Sequence, residues 1–205
     1  MLHKEILNQS QIDLLPLISE FKREYYLVGG TAIALYLGHR RSIDYDLFKF
    51  SSINHKKNID KINKFGFEIK ITRNVSEQMN LMINDVKITF FQYPFEIKAL
   101  TTLEKYIKLP SLLDLAAMKA YALGRRSKWK DYVDLYFLIK NKFSIEEISK
   151  RAEELFGQLF SDKLFRAQLS YFKDVDYTEE VDYLVKAPTN KEIKDFLINA
   201  SIIKL

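Results

Sequence analysis

Apolar residues in the first half of the chain switch repeatedly between helical and extended periods, and after about residue 110 they keep the helical period alone. Ser10 to Glu24 has helical spacing. "YYLVGG" (25–30) reads as a short strand ending in a glycine turn, "TAIALYL" (31–37) as a helix and "DYDLFKF" (44–50) as a second strand. Residues 54–64 are again helical. "FGFEIKITRN", "QMNLMI" and "VKITFFQY" read as three strands, the last two joined at Asn84-Asp85, a pair suited to a tight hairpin. Pro110, Ser111 and Asp114 combine a boundary with a capped start, so a helix is predicted over 111–125. Ser144 with Glu147 and Thr189 with Glu192 open further helices. The pattern predicts an α+β chain, with a small mixed-sheet α/β domain at 1–109 and a C-terminal helical bundle domain at 110–205.

The 205 residues are 47% hydrophobic and 29% charged, enough apolar material for a real core and too much for wholesale disorder. No apolar run approaches the roughly 20 residues of a membrane helix, and the first residues lack the apolar core of a signal peptide, so a cytoplasmic protein without a membrane partner is expected. With no cysteine and three histidines, thiol chemistry is excluded and a structural zinc site is disfavoured. A net charge of +5 favours polyanionic partners without establishing one. Residues 174–182 ("DVDYTEEVD") hold five acids and no base, which reads as a solvated surface segment.

Against this background Asp44 and Asp46 stand out, because aspartate is a poor strand former. Two residues apart on a strand, they project to the same side about 7 Å apart along the chain, where one divalent cation could bridge them; a solvated strand face is the plain alternative. Mg²⁺ suits two carboxylates combined with substrate phosphates. Upstream, Gly29-Gly30-Thr31 lies between a strand and a helix, where glycine permits a tight turn and free amides at the helix start favour a phosphate. The spacings of a P-loop and of a dinucleotide-binding glycine motif are both absent.

Lys119 is the sole charge between Leu115 and Gly124 and shares a helical face with Leu112, Leu115, Ala116, Ala122 and Leu123. It either snorkels to the surface or has an anionic partner such as a triphosphate. In "KWKDYVDLYFLIK", Asp134 sits inside an apolar run. It is either the partner of Lys130 at i,i+4 or a buried organiser. Arg125, Arg126, Lys128 and Lys130 form a basic cluster beside it, with Trp129 available to stack on a base.

Taken in order, the glycine turn, "GHRRSIDYDLF" and "MKAYALGRRSKWKDYVDLYFL" make residues 25–140 resemble the AbiEii/AbiGii toxin-type nucleotidyltransferases. The resemblance implies a minimal polymerase-β-like nucleotidyltransferase domain followed by a helical domain. It further implies a transferase that moves NMP from an NTP to an acceptor hydroxyl with Mg²⁺ as cofactor, and a toxin that has a cognate antitoxin as partner. The acceptor would be RNA, a protein or a small molecule. By the same resemblance Asp44 and Asp46 bind metal; Gly29, Gly30, Thr31 and Lys119 hold phosphates; Arg40 or Arg41 reaches phosphate or acceptor; and Asp134 orients the lysine or acts as base. Nucleotidyltransferases of this fold often carry a third carboxylate on a neighbouring strand, and Thr89 of "VKITFFQY" stands where it is expected. That departure implies an alternative, a catalytically degenerate NTP-binding module of the same fold.

Overall fold

A computed structural model describes residues 2–123, 125–126 and 128–202. The elements follow in chain order as α1 (Gln9–Ser19), β1 (Tyr26–Val28), α2 (Gly29–Leu37), β2 (Tyr45–Lys49), α3 (His55–Asn63), β3 (Lys70–Val75), β4 (Gln78–Ile83), β5 (Val86–Gln92), β6 (Ala99–Leu103) and β7 (Ile107–Pro110). Helices α4 (Leu112–Leu123), α5 (Trp129–Asn141), α6 (Ile145–Phe156), α7 (Asp162–Leu169) and α8 (Asn190–Ser201) complete the fold. The strands form one seven-stranded mixed sheet in the order β3-β4-β5-β2-β1-β7-β6. Strands β2 and β5 run parallel, as do β1 and β7, and the other neighbours are antiparallel.

The period of two decides what each strand shows to each face. In β2, Tyr45, Leu47 and Lys49 are buried while Asp46 and Phe48 are half-exposed. The buried side packs against α1 and the turn after it: the Tyr45 hydroxyl donates to the Gln11 carbonyl, and Phe21, just beyond the helix, meets Phe90 of β5 edge to face. Asn8 starts α1 through a capping box with Gln11, which fixes the helix on that layer. Asn84 and Asp85 both have positive φ, the conformation that a two-residue hairpin between β4 and β5 requires.

Strands β6 and β7 were not expected. They are short, and in β6 only Leu103 is fully buried, so the apolar pattern that betrays a strand is weak. Helix α4 ends at Leu123, and the expected continuation through Gly124 lies outside the described residues. Ser144 and Thr189 cap α6 and α8 as their spacing predicts. The acidic segment 174–182 is largely exposed, yet it is tied back. The Asp176 and Asp182 carbonyls accept from the Trp129 and Arg41 amides, and Glu179 pairs with Lys128 and Lys130.

Candidate active site

Where the sheet meets α4, a cleft of about 500 Å³ opens, lined by Gly29, Asp46, Gln78, Lys87, Thr89, Lys119, Arg125 and Arg126 together with an apolar wall. Its floor is the half-exposed face of β2 and β5. Their register sets Asp46 beside Thr89, so the two side chains stand next to each other at the base of the cleft. Asp44 precedes β2 and is half-buried. Burial pushes its carboxyl above the ordinary range; Lys87 opposes this and the charge of Asp46 adds to it.

The glycine turn exists to let that floor form. Gly29 has φ +71°, and a Cβ there would lie 2.2 Å from the Asp46 Oδ2. A Cβ on Gly30 would lie 2.5 Å from the Arg40 Nη2. The two glycines thus make room for a carboxylate and a guanidinium respectively, at the start of a helix whose N-cap, Val28, supplies no side-chain hydrogen bond. The Thr31 side chain is buried, and its hydroxyl donates to the Asp44 carbonyl, with Ser42 Oγ 2.9 Å away. It therefore braces the loop that carries Asp44, rather than offering a free hydroxyl to a ligand.

Behind the cleft wall lies a buried charge cluster. Asp134, fully buried, accepts from Arg40 Nε (2.8 Å) and Nη2 (2.9 Å), lies 2.9 Å from His39 Nε2 and pairs with Lys119 Nζ at 3.0 Å. Asp131 takes Lys119 at 2.7 Å and both Nε and Nη2 of Arg126. Burial alone would raise the Asp134 carboxyl, but Arg40 and Lys119, with hydrogen bonds from His39 and Arg40, hold it well below the ordinary range. Asp131 is lowered in the same way, against its burial, by Lys119 and Arg126. Burial outweighs Asp134 at His39 and depresses its pKa, so the ring is neutral and its Nε2–H donates.

Several expectations are corrected by this geometry. Lys119 is 4% exposed and does not snorkel, because Asp131 and Asp134, three apart on α5, present their carboxylates to it. Lys130 is not the partner of Asp134; it reaches Glu179 at 3.4 Å. Arg40 is committed to Asp134. Arg41 points out of the cleft, with Nε 3.3 Å from Asp182 and Nη1 donating to the Glu5 carbonyl. Trp129 is 4% exposed against Tyr132 and Tyr177, so it offers no free face to a base. Alternation along β5 puts Lys87 on the Thr89 face, although it was not expected as a site residue. Gln78 and His39 were missed altogether, and His39 has no local signal.

Asp44 and Asp46 are hard oxygen donors, and among the described residues no group of three His, Cys, Asp or Glu side chains is placed to hold a metal. Two carboxylates without a third fit a Mg²⁺ that takes its remaining oxygens from water and a substrate phosphate. Burial, with the charge of Asp46 adding to it, raises the Asp44 carboxyl, and a bound cation would offset both.

A profile of the family described as "Nucleotidyl transferase AbiEii toxin, Type IV TA system" matches residues 16–198. An uncharacterized protein of Aquifex aeolicus is 28% identical over 195 residues, covering 86% of this chain and 89% of its own. Among solved structures, JHP933 from Helicobacter pylori superposes with a TM-score of 0.58 at 18% identity, covering 98% of this chain and 92% of its own. MenT4, a nucleotidyltransferase toxin from Mycobacterium tuberculosis, superposes with a TM-score of 0.59 at 14% identity, covering 94% and 81%. At these identities the structural likeness establishes the fold.

Proposed function

This chain belongs to the AbiEii nucleotidyltransferase toxin family, and from that premise we propose a Mg²⁺-dependent transfer of NMP from an NTP to an acceptor hydroxyl of RNA, protein or a small molecule. The observation that carries the reading is the contact at the cleft floor. Asp46 rests where Gly29 has no side chain, beside the uncapped start of α2 and across from Lys119. In this reading Asp44 and Asp46 hold the cation, which neutralises phosphate charge. The free amides of Gly29 to Thr31 take the phosphate tail at the positive end of α2.

Lys119 extends its ammonium from α4 to the cleft wall and is held there by Asp131 and Asp134. Asp134 is thereby a positioning residue. Its full burial and three cationic or donor partners leave it unsuited to taking a proton from an acceptor. The same commitment removes Arg40 as a direct phosphate ligand unless its pair with Asp134 opens. The family's description supports a role as the toxin of a pair with a cognate antitoxin. No helix among the described residues is long and apolar enough to cross a membrane.

Thr89 favours a second reading. A threonine hydroxyl is no base near neutral pH, so where other members of the fold place a carboxylate this cleft offers none from β5. The site would then bind Mg²⁺ and NTP without efficient transfer. One experiment separates the two: titration calorimetry with each NTP and Mg²⁺, followed by transfer from α-³²P-labelled NTPs to cellular RNA and protein. Binding with transfer and pyrophosphate release supports the transferase, binding without release supports the degenerate module, and no Mg²⁺-dependent binding refutes both.

A further inference from the structure

The basic cluster 125–130 is four cations in sequence, but its members have separate fates. Arg126 is bound through two nitrogens to Asp131, and Lys128 and Lys130 are paired with Glu179. Arg125 alone of the four has no carboxylate partner among the described residues, and it lines the cleft. Its guanidinium carbon sits 3.6 Å above the centre of the Tyr121 ring, and its Nη1 donates to the Tyr121 carbonyl at 3.1 Å. Tyr121 is in turn stacked on Phe156, with centroids 4.2 Å apart. Phe156, Tyr121 and Arg125 make a column whose outermost layer is a planar cation open to the cleft.

The wall beside that layer is apolar. Phe95 packs edge-on against both Tyr121 and Phe156, and Tyr93, Phe91 and Phe48 continue the wall down to the strand that carries Asp46. A lone phosphate gains nothing from such a wall. A nucleobase does: it presents a π-face to the guanidinium and buries apolar area against the rings.

We propose that Arg125, laid on Tyr121, is the platform of a nucleobase-binding subsite at the aromatic end of the cleft, opposite the end marked by Lys87. The proposal rests on the nucleotide reading of the cleft and adds where a base is held. The base comes either from the NTP or from a nucleic-acid acceptor, and both share the chemistry of stacking on a fixed planar cation.

The test uses the full chain with Arg125→Ala and Arg125→Lys, the latter keeping the charge but not the planar face. Arg125 is exposed, so both variants should keep the wild-type melting temperature. Binding with Mg²⁺ is measured for the four NTPs, for inorganic tripolyphosphate and for a short single-stranded RNA. The expected result is a loss of about 10-fold in both variants for NTP or for RNA, within the range of stacking on one base, with tripolyphosphate unaffected. The arm that weakens identifies the source of the base. Rescue by lysine, or an equal loss for tripolyphosphate, would mean a phosphate contact and overturn the subsite. Wild-type binding that neither variant changes also overturns it, leaving the nucleotide reading intact. Wild-type protein that binds none of the nucleotides overturns both.

Discussion

Two sets of charges lie on either side of the cleft wall, and they are satisfied in opposite ways. In the buried cluster, Asp131 and Asp134 face Arg40, Lys119 and Arg126, with His39 as a further donor; each carboxylate is ringed by donors and held ionised. At the floor, Asp46 and the neighbouring Asp44 are half-buried with no ion pair among the described residues, and Asp44 is pushed toward its neutral form by burial, which Lys87 opposes. The first set is complete within the fold, whereas the second has no ion-pair partner among the described residues and, in the proposed reading, is completed by Mg²⁺. Mutations should therefore separate them: loss of a cluster charge damages stability, and loss of a floor charge damages ligand binding.

The largest effect is expected at Asp134. Asp134→Asn keeps the shape but leaves Arg40 and Lys119 facing a neutral amide, and removing one partner of a buried pair typically costs about 3–5 kcal/mol. Thermal or urea unfolding checks this. The sign with pH follows from the depressed carboxyl, whose stabilisation is fully present above the ordinary aspartate range and lost as pH falls through the depressed value. The wild type should thus lead Asp134→Asn by a constant margin from neutral pH down to that range, and the margin should shrink only below it. A gap that closes near neutral pH would assign the stabilisation to another group.

Lys119→Met is the next largest. It deletes one cation but leaves Asp131 with Arg126 and Asp134 with Arg40, so the expected destabilisation is smaller, about 2 kcal/mol. Affinity for Mg²⁺·NTP should also fall, since Lys119 reaches the cleft. A melting temperature that rises would show that the lysine is tolerated for function alone and would blur the contrast between cluster and floor.

How far the sequence reveals each set depends on the distance over which its partners are chosen. The patterns that single out the floor are local, two aspartates at i and i+2 on a strand and a glycine pair before a helix, whereas the parallel pairing of β2 with β5 that sets Thr89 beside Asp46 is not. The cluster was only half legible. Lys119 on an apolar helical face announced a buried cation in need of an anion, but Arg40 and Asp134 are 94 residues apart, and no local period encodes that pairing. The same limit left open whether Asp134 paired with Lys130 or was a buried organiser, the second of which the fold shows, and left Trp129 free, although it packs under Tyr177 from the acidic segment. Strands β6 and β7 were lost for a different reason: β6 lies at the sheet's edge and fully buries Leu103 alone, and β7 has four residues, too few to show a period of two.

On the floor, Asp46→Asn sharpens the comparison from the other side. The variant removes a charge that has no ion-pair partner among the described residues, so stability should stay level or rise by less than about 1 kcal/mol. Mg²⁺-dependent NTP binding should weaken by about 10-fold or more, which is roughly 1.4 kcal/mol at the least. Calorimetry with and without Mg²⁺ measures this. An unchanged Mg²⁺ requirement would reduce Asp44 and Asp46 to a solvated strand face.

The smallest effect is expected at Thr89, and it has two opposed parts. Thr89 is 6% exposed, lies in register with Asp46 and lines the cleft, so an aspartate there would bring a third carboxylate to the floor. Without a cation, Thr89→Asp should lower stability by about 1 kcal/mol, because a further like charge is added to a site where burial and repulsion already raise Asp44. With saturating Mg²⁺ the order should reverse, since the added oxygen donor binds the cation and the repulsion becomes attraction. A melting temperature compared with and without Mg²⁺ therefore reads out the geometry even if transfer is absent. Where transfer is present, Thr89→Asp should raise it a few-fold by supplying a base beside the metal ligands. A variant destabilised equally in both conditions would mean that position 89 cannot reach a cation held by Asp46. The floor would then be a two-carboxylate site by construction, not one that has lost its third acid.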